Sequence, residues 1–128
     1  MKKIICLLSL CLLLAGCNTF GSNYSGMSSS EIENSTFLAT CDVPSLYIYP
    51  EKSQKDILAD MEALGYKFVG ESHWYGAADM VTNEDALSKA ASLGACVVMW
   101  KVEYQFAAST YTRARNYYSG LFFTKIER

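Results

Sequence analysis

Histidine occurs once in these 128 residues, and the five cysteines include no Cys-x-x-Cys pair. Without that spacing, and without His-Glu-x-x-His, no zinc site can be written from local sequence. A metal would need folding to bring His73 to Cys41, Cys96 or carboxylates, and neither metal nor cofactor is expected. Gly-x-Ser-x-Gly is also missing, which removes the nucleophile elbow of the α/β hydrolases. Ser72 and His73 are adjacent, but neighbours on a strand project to opposite faces, so they make a poor catalytic couple. Gly65, Gly70, Gly76 and Gly94 stand singly, as helix ends or close-packing points rather than as a phosphate-cradling loop. Positive charge is scarce too, with a net charge of −2. Arg113, Arg115, Lys125 and Arg128 near the C-terminus read as a solvated face, which leaves no basis for a nucleic-acid partner. The apolar run from Ile4 to Leu14, at roughly 1.5 Å per residue, reaches only about 17 Å, short of the ~30 Å hydrocarbon core of a bilayer.

That run sits between Lys2-Lys3 and the small residues of Leu14-Ala15-Gly16-Cys17, the arrangement of a charged n-region, an h-region and a cleavage site. Leu-Ala-Gly-Cys resembles the lipobox of bacterial lipoproteins. The resemblance implies a signal peptide over 1–16, cleavage before Cys17, a diacylglyceryl thioether on that sulfur and an acylated amino group, with chains of the palmitate class. At about 0.8 kcal/mol per buried CH₂, two or three such chains hold a protein on a membrane it does not cross. In that family an aspartate after the cysteine marks inner-membrane retention. Asn18 stands there, which implies the outer membrane, at its periplasmic face or the cell surface.

Removing residues 1–16 leaves 112, enough for one domain, and takes away two of the eleven basic side chains against thirteen acidic ones. Residues 17–36 are rich in Ser, Asn, Thr and Gly and lack an apolar period, which predicts a lipidated flexible tether reaching roughly 25 Å. A folded domain is expected over 37–128. Cys6 and Cys11 leave with the signal and Cys17 is lipidated, so Cys41 and Cys96 remain as thiols. They are either bridged or buried separately. The periplasm is oxidising, and a bridge is the expectation, closing a loop of about 55 residues and worth about 4 kcal/mol on the chain-entropy account.

Ser45–Tyr49 reads as a short strand stopped by Pro50. Ser53-Gln54-Lys55-Asp56 resembles a capping box, with Ile57, Met61 and Leu64 on one helical face ending at Gly65. Between Tyr66 and Trp74, Tyr66, Phe68 and Trp74 alternate against Lys67, Glu71 and His73, as in a half-buried strand. Thr82-Asn83-Glu84-Asp85 opens a second helix with a narrow stripe of Leu87, Ala90 and Ala91, ending at Leu93-Gly94. Ala95–Tyr104 gives the best core strand, Gln105–Gly120 a long loop or irregular hairpin arm, and Leu121–Ile126 a last strand. The predicted fold is a small α/β sandwich of two or three layers, order β-α-β-α-β-β. Its sheet is mixed and mostly parallel, with the first three strands parallel through two crossovers and the last antiparallel beside one of them.

Glu71 and Glu103 could approach each other on adjacent strands, as glycosidase carboxylates do, but with Lys67 and Lys101 nearby they read as a solvated sheet face. The aromatic residues Trp100, Tyr104, Phe106, Tyr111, Tyr117, Tyr118, Phe122 and Phe123 crowd the last third of the chain. They either complete the core or form a recognition surface, for which Tyr104, Tyr111, Arg113, Arg115, Tyr117 and Tyr118 are the candidates. Gly65-Tyr66-Lys67-Phe68-Val69-Gly70-Glu71-Ser72, then Ala90–Val98 and Tyr117–Lys125, resemble blocks of small bacterial envelope lipoproteins. The Gly94-Ala95 turn into Val97-Val98 is also similar to that of envelope stress-sensing lipoproteins. Neither resemblance brings catalytic residues. The expected function is a membrane-anchored, non-enzymatic interaction or envelope-maintenance module with an envelope protein or glycan as partner. A disulfide-containing stress sensor and a small periplasmic hydrolase are the alternatives.

Overall fold

The computed structural model describes residues 23–77, 81–106 and 115–127. Their elements run β1 (Tyr24–Gly26), α1 (Ser29–Glu33), β2 (Leu38–Ala39), β3 (Ser45–Ile48), α2 (Gln54–Ala63), β4 (Tyr66–Ala77), α3 (Asn83–Leu93), β5 (Val97–Phe106) and β6 (Arg115–Ile126). The described strands form one six-stranded sheet in the order β1-β4-β6-β5-β3, with β2 also paired to β6. No described helix is long and apolar enough to cross a membrane.

The mostly parallel sheet is overturned by this topology. Only β3 and β5 pair in parallel, while β4 and β5 each pair antiparallel with β6, which lies between them. It follows that β3, β4 and β5 point the same way, yet each helical crossover passes over at least one strand. The cause is β6. Residues 115–120, expected as loop, alternate Arg115, Tyr117 and Ser119 against Asn116, Tyr118 and Gly120, and the strand runs twelve residues. Its stretch 118–124 is buried throughout. A run that apolar on both faces needs cover on both faces and a partner along both edges, which only the centre of a sheet supplies.

Two apolar clusters lie on opposite faces. On one face Ile32, Leu93, Ala86 and Ala90 from α1 and α3 pack with Val98, Trp100, Tyr118 and Phe122. On the other, Ile57 and Met61 of α2 pack on Val97, Leu121 and Phe123, with Tyr66 and Phe68 partly buried beside them. Ser53 caps α2 by accepting from the Asp56 amide at 3.2 Å, and Gly65 follows the helix at φ +91°. Asp85 accepts from the Thr82 amide at 2.7 Å at the start of α3, and Gly94 closes that helix at φ +77°. Both glycines occupy the left-handed region that helix ends use.

Two further expectations are corrected. The tether does not extend to residue 36, nor does the domain begin at 37, because β1 pairs antiparallel with β4 and Ile32 of α1 is fully buried. Ser28 and Glu31 form a capping box that starts α1, the Ser-x-x-Glu signal standing in the serine-rich stretch. The alternation along β4 is also not single-phased. A bulge between Phe68 and Gly70 makes Val69 an extra residue, 3% exposed in the α3-side core. Tyr66 and Phe68 before the bulge therefore share the α2 face with Glu71 and His73 after it, while Trp74 joins the α3-side core.

Candidate functional site

Among the described residues, helix α2 packs on only one half of its sheet face. Beyond it the three central strands carry a polar and aromatic patch built by register: His73 lies opposite Ser119, which lies opposite Lys101, and Tyr75 lies opposite Tyr117, which lies opposite Glu103. Because paired residues share a face, these six side chains stand on one surface in two rows, each spanning about 9.6 Å across two strand spacings.

The patch is tied together by directional contacts. His73 Nε2 meets Glu71 Oε1 at 2.8 Å and His73 Nδ1 meets the Ser119 hydroxyl at 3.1 Å. The Glu71 carboxylate also accepts from the Gln54 amide at 2.9 Å, which joins the start of α2 to the patch. Tyr117 stacks on the His73 ring at 5.8 Å, and the Arg115 guanidinium lies over Tyr75 at 5.8 Å. Lys101 pairs with Glu103 at 2.7 Å and lies 5.1 Å over the Tyr49 ring.

Electrostatically the patch is one unit. The Glu103 carboxylate, through its hydrogen bond, holds the Lys101 ammonium above the usual lysine range. Partial burial raises the Tyr49 phenol; Lys101 opposes the rise and Glu71 and Glu103 add to it. Lys101 and Glu103 answer each other's charge directly, while Glu71 is held by hydrogen bonds to His73 and Gln54. Glu71 and His73 are each about one-third exposed, at 31% and 32%, so solvent still reaches them.

The sequence-predicted residues divide clearly. Ser72 is fully buried on the α3 face while His73 stands on the α2 face. Ser119, placed in a loop by sequence, is the serine that meets the histidine. Glu71 and Glu103 are not on adjacent strands: β6 separates them, four residues of offset along it put their backbones roughly 16 Å apart, and each carboxylate is engaged by partners of its own, His73 and Gln54 for one and Lys101 for the other. Of the predicted recognition surface, Tyr117 and Arg115 belong to the patch. Tyr118 does not, being 1% exposed and stacked with Trp74 and Trp100 in the core. Tyr104 lies on β5 opposite Asn116, and Tyr111, Arg113 and the lipidation residue Cys17 lie outside the described residues. Cys41 and Cys96 are joined in a disulfide at a Cα separation of 4.9 Å. Among the described residues no three His, Cys, Asp or Glu side chains gather as a metal site.

Sequence reasoning missed Ser119 and Gln54, and grouped Lys101 and Glu103 only as solvated charge. The strict alternation of Arg115, Tyr117 and Ser119 was the available signal, since it predicts a strand face. An apolar cavity of about 530 Å³, lined by Tyr47, Met61, Leu64, Tyr66, Val97 and Met99, opens elsewhere on the α2 side. No protein-family model, curated protein or solved structure matches the chain.

Proposed function

We propose that this protein is a lipid-anchored outer-membrane protein whose domain is a non-catalytic interaction module, with the open half of the α2 face as its binding surface. The carrying observation is the patch itself: Glu71, His73, Lys101, Glu103, Tyr75 and Tyr117 present donors, acceptors and rings together on a rigid three-strand platform. Side chains already held by hydrogen bonds, an ion pair and ring contacts on a paired backbone lose less freedom on binding, which favours recognition. The anchor rests on Leu14-Ala15-Gly16-Cys17 and its lipobox resemblance.

A photocrosslinking residue at Tyr75 should capture a partner in intact cells, whereas one at the exposed Ser92, on α3 at the opposite side, should not. Equal capture at both positions, or none at Tyr75, overturns the reading of the face. The Cys17→Ser form should leave the membrane fraction, and its retention there would remove the anchor.

One observation favours a second reading, a small hydrolase: Glu71, His73 and Ser119 form a hydrogen-bonded relay in the order acid, base, hydroxyl. Two features weaken it. Ser119 is only 6% exposed, and β6 is flanked by strands on both sides, so its amides are engaged in ladders rather than free to hold an oxyanion. Fluorophosphonate labelling that disappears in Ser119→Ala would establish the relay as catalytic, and no labelling would leave it as a positioning network.

A further inference from the structure

We propose that the open α2 face binds an uncharged glycan chain, an assignment that rests on the binding-module reading above. Three properties of the patch converge on that chemistry.

The first is charge. Lys101 is neutralised by Glu103 at 2.7 Å, Glu71 is met by His73 and Gln54, and Arg115 lies over the Tyr75 ring. The carboxylates of Glu71 and Glu103 and the cations of Lys101 and Arg115 sum to no net formal charge, which leaves little field at a distance, so a polyanion or polycation gains no net attraction from the surface. A neutral ligand loses nothing by this.

The second is hydrogen-bonding capacity. Carboxylates accept only, ammonium and guanidinium groups donate only, and imidazole and tyrosine hydroxyls do both. A sugar hydroxyl both donates and accepts, so it can insert between members of every pair. Bonds to the charged members are roughly twice as strong as neutral ones.

The third is shape. Tyr75 is 46% exposed, and Tyr117 is fixed beside it by its stack on His73, at an interplanar angle of 23°. Aromatic faces on a level sheet suit the C–H faces of pyranose rings. Peptide recognition asks for different features, namely a free sheet edge for strand addition or an apolar pocket for an anchoring side chain. The patch side chains are polar and line no such pocket; beyond Ser72 and Trp100 the outer edges of β4 and β5 have no described strand partner, so a peptide added there is told apart by the crosslinking outcome below.

Saturation-transfer difference NMR tests the assignment on the full lipidated protein in sugar-free detergent micelles, with chitotetraose, maltotetraose and cellotetraose as probes and protein-free micelles as control. Transfer to the ring protons of at least one probe is expected. Tyr75→Ala and Glu103→Gln, both at solvent-accessible positions, should each weaken binding about tenfold while leaving the thermal midpoint unchanged. The glycan assignment is overturned by absence of transfer from all three probes, or by transfer that neither variant reduces. Capture of a protein at Tyr75 in cells, with no sugar bound, would overturn the glycan and leave the module.

Discussion

Tyr24 stands among serines and glycines, yet it is tied down from several sides. Its ring meets Phe122 edge-on at 5.6 Å, and Lys89 Nζ lies 4.9 Å over it. Its hydroxyl donates to the Met27 carbonyl at 2.6 Å, with the Val69 carbonyl 3.1 Å away. Burial, reinforced by Glu31, pushes this phenol up to about 12. The unfolded chain would ionise the same group near its ordinary value of 10.0, so between these values the unfolded state binds fewer protons than the folded one. Stability from this group is full below pH ~10 and is lost as pH rises toward ~12. Tyr49 is raised in the same direction, so Tyr24→Phe should reduce, not abolish, the alkaline fall in urea midpoint, and an unchanged slope would refute the linkage. Gly70 is the counterpart of Tyr24. A Cβ there would run into the tyrosine ring, so Gly70→Ala should cost about 1–3 kcal/mol as overpacking. Because the clash is with one side chain, Tyr24→Ala should relieve it, and a double-mutant cycle showing additive losses would contradict the contact.

At the scale of elements, what could be read in the sequence followed local chemistry. Ser53 and Thr82 stand as the N-caps of α2 and α3, Gly65 and Gly94 follow them, and Val97 onward forms a strand. These features are decided by a few consecutive residues. Strand order is not, because it depends on which strand most needs burial, and β6 was read as half its length. One inserted residue, Val69, likewise reverses the facing of everything after it in β4, which period-two reasoning cannot detect. The candidate site was half legible for the same reason: Glu71 and His73 were visible as a strand face, but their meeting with Ser119 required the register of β6. The sheet edge at β3 was legible only in retrospect. Ser45 and Tyr49 donate their amides to Cys96, just before β5, and to Trp100 on β5, so by alternation the backbone groups of residues 44, 46, 48 and 50 face outward. The chain's two prolines, Pro44 and Pro50, occupy the ends of that outward row and lack the donor another strand would use. With Tyr47 54% and Ile48 72% exposed, this edge would otherwise invite pairing. Pro44→Thr with Pro50→Thr should therefore raise the tendency to self-associate in sedimentation velocity at matched concentration; a variant that sediments as the parent does would show that the prolines are not the guard.

For the whole molecule, the question is what ties the two helical layers and the sheet into one cooperative unit. The first 18 described residues, 23–40, lean on β4 and β6 through β1, α1 and β2, and β6 itself arrives last in sequence. Between them the disulfide from Cys41 to Cys96 spans 55 residues and encloses β3, α2, β4 and α3. Its ends sit just before the parallel pair β3 and β5, with Cys41 donating its amide to Gly94 and Cys96 donating its amide to Phe123. Parallel pairing between segments this far apart is entropically costly to assemble, and a covalent link at the start of both strands removes most of that cost from the unfolded chain. On the chain-entropy account the link contributes about 4 kcal/mol, a large share of the ~5–15 kcal/mol that a domain usually has. Replacing both cysteines, Cys41→Ala with Cys96→Ala, avoids a reactive lone thiol and should lower the denaturant midpoint by an amount equivalent to about 2–4 kcal/mol. The two alanines also give up the sulfur packing against Ile57 and Phe123, so reduction of the parent protein with a dithiol is the cleaner measure of the link alone. If the reduced parent unfolds at the same denaturant concentration as the oxidised one, the bridge is ornamental to stability, and sheet and helices alone must supply the cohesion assigned to it.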